Sequence, residues 1–239
     1  MPSDDATLRL LITAGPTYEP IDAVRFIGNR SSGRLGSSLA DRAVQAGWDV
    51  TLLLGPNAVA PEDERVQIVR FQSCQDLEDL LEQHLSRCDT LVMAAAVADY
   101  RPVADEVNLE GKRKRVGGAL SVQLESTPDL LAGCAKRARQ DQFLVGFALE
   151  PRERMMSSAL SKLERKGIDM IVANPLETMD AGTIEATLIG NPAKGLEIQI
   201  ETPGPISKPD FANWLIEQLT PLTRQRMSEL AGNATNGAQ

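Results

Sequence analysis

Short apolar runs alternate along the chain with segments in which apolar residues recur at helical spacing. An apolar run bounded by turn residues is typical of a buried parallel strand, and helical spacing predicts a helix with one buried face. The predicted strands are 8–13, 48–54, 66–71, 90–96, 143–148 and 168–173. The predicted helices run from the loop at 31–33 to Gly47, from Ser73, from Thr127, over 152–166 and over 209–219. This alternation predicts an α/β fold whose mostly parallel sheet carries helices on both faces.

Residue types at the predicted helix ends support these boundaries. Ser73 with Asp76 has the spacing of a capping box, and Thr127 is predicted to cap a helix with Pro128 at its first position. Gly47 is placed as the glycine that follows a helix. Two runs at 186–189 and 196–200 predict a C-terminal β-hairpin before the last helix. Residues 1–6 and about 231–239 are predicted to be disordered, in a single domain spanning 1–239.

Composition narrows the class of protein. A chain of 239 residues with 42% hydrophobic and 24% charged residues is typical of a globular domain. The net charge of −8 argues against a general nucleic-acid binder. Without an N-terminal apolar segment or a long apolar run, no membrane partner is expected. Scattered Cys74, Cys88 and Cys134 are interpreted as reduced core residues of a cytoplasmic protein, and the lone His84 argues against histidine-based metal or triad chemistry.

A Gly/Ser-rich loop after the first strand is the strongest candidate for chemistry. A strand, a glycine-rich loop and a helix N-terminus together form an anion-binding arrangement, because backbone N–H groups and the helix dipole face the ligand. Arg25 and Asn29 add charged and neutral donors. We therefore predict that a phosphate or an acyl phosphate binds here. The loop residues in question are Gly15, Thr17, Arg30, Ser31, Ser32 and Gly33.

Further candidates follow other predicted strands, whose carboxyl ends share one edge of the sheet. Ala95 and Ala96 end the strand at 90–96 and Asp99 follows it, Phe147 lies late in the strand at 143–148, and Asn174 follows the strand at 168–173. Asp99 could accept a hydrogen bond from an exocyclic amine or belong to a turn. Phe147 could stack on a base, although in an aliphatic strand it is more often a core residue.

Two groups of basic residues have both a structural and a functional interpretation. The run at 112–115 in a long polar loop is either a solvated charge cluster or a mobile flap whose lysine closes on a triphosphate. Lys162 and Lys166 lie on one helix face, where most such pairs are simply exposed. The G-x-G-x-x-G fingerprint and the P-loop are both absent. A nicotinamide-dependent oxidoreductase is therefore a weaker alternative, and a non-catalytic nucleotide-binding protein is a third.

Several ordered motifs together carry a family resemblance. These are ITAGPTYEPID at 12–22, VRFIGNRSSG at 24–33, AAAVADYRP at 94–102, the lysine-rich loop, TPDLL at 127–131, VGFA at 145–148 and RKGIDMIVAN at 165–174. From about residue 8 to residue 220 the chain resembles phosphopantothenoylcysteine synthetase (phosphopantothenate–cysteine ligase) of coenzyme A biosynthesis. The resemblance implies a Rossmann-like fold and a homodimer that requires Mg²⁺.

The implied reaction joins 4′-phosphopantothenate to L-cysteine through an amide. In bacterial members the carboxylate attacks the α-phosphorus of CTP to give an acyl-cytidylate and pyrophosphate, and the cysteine amine then displaces CMP. Animal members prefer ATP. Of the two nucleotides, CTP is the one expected for this chain. Many bacterial homologues carry a flavin-dependent decarboxylase ahead of this domain. Because none precedes residue 8, we expect a free-standing form without FMN.

The resemblance also assigns roles to individual residues. Asn29, Arg25 and Lys112 would be catalytic, with Asn29 handling the acyl intermediate and Lys112 reaching the triphosphate. The residues implied to bind the nucleotide are Met93, Ala94, Ala95, Asp99, Lys112, Pro128, Asp129, Leu130, Leu131, Phe147, Lys162 and Lys166. Departures from the family pattern are Pro16 in place of a glycine and Gly28 in place of a serine. The extended basic loop leaves open whether Lys112 or Lys114 is the flap lysine, and no ligands for Mg²⁺ are predicted.

Overall fold

The computed structural model describes residues 6–114, 117–179 and 181–236, with side chains as far as Leu230. Its strands are β1 (Arg9–Ala14), β2 (Tyr18–Pro20), β3 (Phe26–Gly28), β4 (Asp49–Leu54), β5 (Gln67–Arg70), β6 (Thr90–Met93), β7 (Tyr100–Pro102), β8 (Leu124–Ser126), β9 (Phe143–Glu150), β10 (Met170–Pro175), β11 (Thr183–Ile184), β12 (Thr187–Gly190), β13 (Gln199–Glu201) and β14 (Ile206–Ser207). Its α-helices are α1 (Arg34–Gln45), α2 (Cys74–Leu85), α3 (Leu130–Arg137), α4 (Met155–Lys166) and α5 (Lys208–Asn236).

The central sheet has eight strands in the order β13-β12-β10-β9-β6-β1-β4-β5. The six strands from β10 to β5 are parallel, whereas β12 and β13 form the antiparallel hairpin predicted at the C-terminal side. In the register of the sheet, Leu10 of β1 lies between Val50 of β4 and Thr90 of β6. The parallel strands follow the doubly wound order: β4 and β5 are added on one side of β1, and the order then reverses, so that β6, β9 and β10 are added on the other side. The predicted Rossmann-like α/β fold is therefore confirmed.

Hydrophobic cores lie on both faces of the sheet. Because successive side chains of a strand point to opposite faces, Leu10 and Ile12 join the core under α1 and α5, while Leu11 joins the core under α2, α3 and α4. Each of these side chains is almost fully buried, which contributes roughly 1.5–3 kcal/mol per residue. The three cysteines are buried free thiols. Burial raises the pKa of Cys74 to about 11 and that of Cys88 to about 12, which fits the predicted core role.

Two of the predicted helix ends are confirmed and one is wrong. Ser73 and Asp76 form the capping box, and Gly47 follows α1 with a φ of 87°. Thr127, however, is not the cap of α3, because Asp129 accepts the N–H of Ala132 in that role. The hydroxyl of Thr127 instead donates to the carbonyl of Ala98 at 2.6 Å. Because Thr127 is engaged in this tertiary contact, α3 is capped two residues later than predicted.

The last helix is much longer than the predicted 209–219. α5 continues through Pro221 to Asn236 because later residues are held by the body of the protein. Thr223 is fully buried with its hydroxyl 2.8 Å from that of Thr90, and Arg226 pairs with Asp169 at 2.6 Å. The hydrogen bond that Pro221 removes lies on the exposed side of the helix, where water can replace it. Of the segments predicted to be disordered, 1–6 and about 231–239, residues 231–236 instead belong to α5, whereas 1–5 and 237–239 lie outside the described residues.

Other differences are local. The strand predicted at 90–96 ends at Met93, because the next N–H groups leave the regular ladder: Ala95 donates to the side-chain oxygen of Thr13 at 3.1 Å. The helix predicted from Arg152 begins as a 3₁₀ turn and becomes α-helical at Met155. Three short antiparallel ribbons, β2–β3, β7–β8 and β11–β14, were not predicted, and the two strands of the second flank the segment expected to be a polar loop.

Candidate active site

Two adjoining cavities open at the carboxyl ends of the parallel strands. The larger, of about 550 Å³, is lined by residues that follow β6 and by residues of α3, β9 and α4. The smaller, of about 240 Å³, lies against the N-terminus of α1. Arg30, Ala95, Ala96 and Phe147 are among the residues that line both cavities. A reaction between two ligands requires that they bind side by side. Because the two cavities share a wall, each can hold one ligand next to the other.

The floor between the cavities is backbone fixed to the end of β1. The N–H of Ala94 donates to the carbonyl of Thr13 at 3.1 Å, and the N–H of Ala96 donates to the carbonyl of Gly15 at 2.9 Å. The hydroxyl of Thr17 accepts the N–H of Ala98 at 3.0 Å. Since these floor residues have small side chains, a ligand can approach the backbone closely. Gly15 and Thr17 thus support the floor from below and do not line either cavity.

Asn29 lies at the rim of the larger cavity. Its side-chain amide donates to the carbonyl of Val97 at 2.9 Å, which fixes the loop after β3 against the segment after β6. The side chain stays exposed to solvent, and its amide can donate to an acyl or phosphate oxygen without changing charge. Arg30 follows directly and faces both cavities.

The smaller cavity is suited to an anion. It is lined by residues 30–36, where α1 begins after Gly33 without a side-chain cap, so the first N–H groups of the helix remain available. Gly33 has a φ of 70°, which favours glycine there. Arg30, Arg34 and Lys208 contribute positive charge, and none of the described residues that line this cavity carries a carboxylate. Asn174, predicted from the strand ends, lines the same cavity.

Two lysines of α4 line the larger cavity, and each forms an ion pair with a carboxylate. Lys162 contacts Glu150 at 2.6 Å, and this hydrogen bond lowers the pKa of Glu150. Lys166 contacts Asp129 at 2.6 Å. Burial alone would raise the pKa of Asp129, but its hydrogen bonds with Lys166 and with the N–H of Ala132 outweigh burial and lower it. An anionic ligand would therefore compete with carboxylates for these ammonium groups.

The structure brings most predicted site residues together. The predicted residues that line at least one cavity are Asn29, Arg30, Ser31, Ser32, Gly33, Met93, Ala94, Ala95, Asp99, Pro128, Asp129, Leu130, Leu131, Phe147, Lys162 and Lys166. Phe147 is half-buried, so it both packs on the core and faces the cavities. The carboxylate of Asp99 is exposed, while its carbonyl accepts the N–H of Thr127.

Arg25 and Lys112 line neither cavity. The guanidinium of Arg25 is held by the buried carboxylate of Asp22, and the side chain of Lys112 is exposed. Several residues that sequence reasoning missed line the cavities instead, namely Leu149, Arg165, Thr178, Met179, Ile184 and Lys208. Arg165 lies beside Lys166 in the sequence and could have been inferred. Leu149 lies in β9, one residue beyond the predicted end of that strand. The remaining residues depend on how the chain returns after β10, for which the sequence carries no signal.

Within the described ranges, no cluster of three or more His, Cys, Asp or Glu side chains could hold a metal ion by itself. Nor does any helix in this part of the chain combine the length and apolar character needed to cross a bilayer.

The fold and the paired cavities define a Rossmann-like α/β protein with a ligand site at the switch between β1 and β6. A family model described as DFP, the DNA/pantothenate metabolism flavoprotein C-terminal domain, matches residues 6–221. The chain belongs to this family, which confirms the resemblance carried by its motifs.

Two curated relatives illustrate the similarity. The chain is 38% identical over 203 residues to a cysteine/cysteine sulfinic acid decarboxylase of an unknown prokaryotic organism, covering 83% of this chain and 55% of that protein. It is 42% identical over 182 residues to the coenzyme A biosynthesis bifunctional protein CoaBC of Mycobacterium tuberculosis, covering 73% of this chain and 43% of that protein. The chain thus spans about half the length of the curated relatives it matches.

Solved structures agree with the fold. The crystal structure of the C-terminal domain of the coenzyme A biosynthesis bifunctional protein CoaBC superposes with a TM-score of 0.74 at 33% identity, covering 92% of this chain and 98% of that domain. A Cab2 mutant in complex with phosphopantothenate-cysteine superposes with a TM-score of 0.71 at 16% identity, covering 95% of this chain and 89% of that one. At this identity the second likeness concerns the fold alone.

Proposed function

We propose that this chain ligates 4′-phosphopantothenate to L-cysteine with CTP. The observation that carries the proposal is the pair of adjoining cavities that share Ala95, Ala96 and Phe147. Family membership and the relatives named for coenzyme A biosynthesis support the same substrates. The phosphorylated substrate would place its phosphate in the smaller cavity, and the nucleotide would occupy the larger one.

The proposed reaction has two steps. First, a carboxylate oxygen of phosphopantothenate attacks the α-phosphorus of CTP, forming the acyl-cytidylate while pyrophosphate leaves. Then the amine of cysteine attacks the acyl carbon, the amide bond forms, and CMP leaves. Asn29 would donate to an oxygen of the acyl or phosphate group, and the lysines of α4 would exchange their carboxylate partners for phosphate oxygens.

Mg²⁺ is proposed as the cofactor because the available donors suit it. Mg²⁺ is commonly held by one or two carboxylates together with substrate phosphates. Asp99 and Asp129 both line the larger cavity, and Asp99 is exposed. A bound Mg²⁺ would neutralise charge on the triphosphate.

A homodimer is proposed on the basis of exposed apolar residues on the short ribbons β2–β3 and β7–β8. Val24 and Phe26, next to or within β3, are 60% and 48% exposed, and Tyr100 of β7 and Leu124 of β8 are 56% and 45% exposed. β2 contacts β7, so these ribbons form one surface. Covering it with a second copy would bury these side chains. Action in the cytoplasm remains a prediction.

The acyl-cytidylate step can be tested without cysteine. Purified protein with Mg²⁺, CTP and radiolabelled pyrophosphate should exchange label into CTP when phosphopantothenate is present. Pantothenate without the phosphate is the matched control and should support little exchange. Exchange that does not depend on phosphopantothenate would contradict the proposed intermediate. Tight CTP binding without any exchange would favour a non-catalytic nucleotide-binding protein.

A further inference from the structure

One buried carboxylate connects the Arg25 loop to the segment that carries Lys112. The side chain of Asp22 is fully buried. Its Oδ1 accepts the backbone N–H groups of Val24 at 2.9 Å and Arg25 at 2.8 Å. Its Oδ2 accepts Nε of Arg25 at 2.8 Å, a second guanidinium nitrogen, and the backbone N–H of Arg113 at 3.1 Å. Both segments thus depend on the same charged group.

Backbone contacts strengthen this connection. The N–H of Ala23 donates to the carbonyl of Gly111 at 3.4 Å, and Nη2 of Arg25 donates to the carbonyl of Arg113 at 3.1 Å. The residues on either side of Lys112 are therefore both bonded to residues 22–25. The side chain of Lys112 itself remains exposed.

The side chain of Arg113 binds Glu106, whereas only its backbone N–H binds Asp22. Its guanidinium pairs with the carboxylate of Glu106 at 2.8 Å and also donates to the carbonyl of Glu106, which closes the segment from 106 to 113 into a loop. Asn108 adds a further attachment, because its N–H donates to the carbonyl of Ile21 at 3.1 Å. Because the loop is closed and attached at several points, its backbone is fixed, and Lys112 is presented from a defined position.

We propose that Asp22 is a positioning residue that fixes Arg25 and Lys112 relative to each other, so that the two cations approach their ligands as one unit. The inference rests on the proposed function and on the roles that the family resemblance implies, in which Arg25 is catalytic and Lys112 reaches the triphosphate. It also assigns the flap role to Lys112 rather than Lys114. The buried negative charge of Asp22 neutralises the guanidinium of Arg25 and also accepts the backbone N–H of Arg113 beside Lys112.

Substitution of Asp22 by Asn should uncouple the two segments. Asn keeps the size of the side chain but has one acceptor oxygen, and its NH₂ group would face the donors of Arg25. The side-chain amide of the variant cannot then accept from both the guanidinium of Arg25 and the N–H of Arg113. The hydrogen bond with Arg25 holds the pKa of Asp22 well below its usual range, so the native group is charged throughout the neutral pH range.

A double-mutant cycle on the dissociation constant of Mg·CTP, measured by calorimetry, tests the coupling. Lys112→Ala should weaken binding about tenfold in the native background and less than about twofold in the Asp22→Asn background, because the lysine is already misplaced there. Asp63→Asn is the matched control. Asp63 binds Nε and Nη2 of Arg65 at 3.0 Å and 2.7 Å in the same local way, and it lines neither active-site cavity.

In the control background the tenfold effect of Lys112→Ala should remain. Equal effects of Lys112→Ala in the native and Asp22→Asn backgrounds would overturn the inference while leaving the proposed function intact. A larger effect of Lys114→Ala than of Lys112→Ala would do the same. Absence of CTP binding by the native protein would overturn both. If Asp22→Asn fails to fold, Arg25→Lys replaces it in the cycle, because lysine is too short to span Asp22 and the carbonyl of Arg113.

Discussion

Replacing Gly36 by alanine should separate α1 from β1 and disturb the smaller cavity. A Cβ placed on Gly36 would lie 2.4 Å from Cβ of Ala14 and 3.4 Å from its Cα. Carbon atoms in contact normally lie about 3.5–4.0 Å apart, so the helix must move away by roughly 1 Å or more. That movement loosens its contacts at Leu39, Ala40 and Ala43, which are fully buried.

The net cost follows from two opposing effects. Overpacking of this kind costs about 1–3 kcal/mol, while alanine in a helix is favoured over glycine by about 1 kcal/mol. We expect Gly36→Ala to lower the free energy of unfolding by up to about 2 kcal/mol, or the melting temperature by up to about 8 °C. The N–H groups at the start of α1 would move with the helix, so the KM for phosphopantothenate should also rise.

Urea unfolding of Gly36→Ala beside Gly133→Ala provides the measurement. Gly133 lies inside α3, where an added Cβ meets no atom within 4 Å. Its replacement should therefore raise the free energy of unfolding by about 0.5–1 kcal/mol. If Gly36→Ala proved as stable as Gly133→Ala, the close packing of α1 on β1 could not be as described.

Three further predictions test other parts of the molecule. Asn29→Ala should lower kcat about 100-fold or more while changing CTP affinity less than about threefold, because one donor to the reacting group is lost. Arg226→Ala should lower the free energy of unfolding by about 2–4 kcal/mol in urea, because among the described residues it leaves the buried Asp169 with Lys194, at 3.2 Å, as its one charged partner. Asp129→Asn should lower stability near neutral pH and reduce the loss of stability toward acid pH, as seen in melting temperatures between about pH 2 and pH 6. Asp129 has a lowered pKa, so its pairing stabilises the fold above the unfolded-state pKa of about 3.9 and is lost as pH falls through the folded value.

Each of these predictions has its own control. Loss of CTP binding by Asn29→Ala would contradict its placement at the acyl group. Arg152→Ala removes an exposed ion pair with Glu185 and should change the free energy of unfolding by less than about 1 kcal/mol. Asn is also a good helix cap, so Asp129→Asn isolates the charge from the capping role. An unchanged acid-side slope would mean that the pair with Lys166 contributes nothing to stability.

The main strands and helices were predictable because burial on both faces of a parallel sheet leaves a strong apolar pattern. The short ribbons were not, since three-residue strands such as Tyr18–Pro20 and Phe26–Gly28 have no pattern long enough to read. Nor could the passage of α5 through Pro221 be predicted. Local preference favours a helix end there, whereas the contacts of Thr223 and Arg226 with distant strands hold the helix together.

Part of the candidate site followed from the sequence in the same way. Residues at or just after strand ends meet at one edge of the sheet, so Asn29, Asp99 and Phe147 were expected near one cleft, and they line the larger cavity. The pairing of Lys166 with Asp129 and the hold of Asp22 on Arg25 were not expected. Both depend on side-chain placement between segments or within a tight turn, which spacing along the chain does not specify.

Product formation with each nucleotide tests the central claim most directly. The purified protein is supplied with phosphopantothenate, L-cysteine, Mg²⁺ and either CTP or ATP, and pyrophosphate and the amide product are measured together. We predict that CTP yields pyrophosphate and phosphopantothenoylcysteine in equal amounts, and faster than ATP. Failure of both nucleotides to yield the amide would contradict the account.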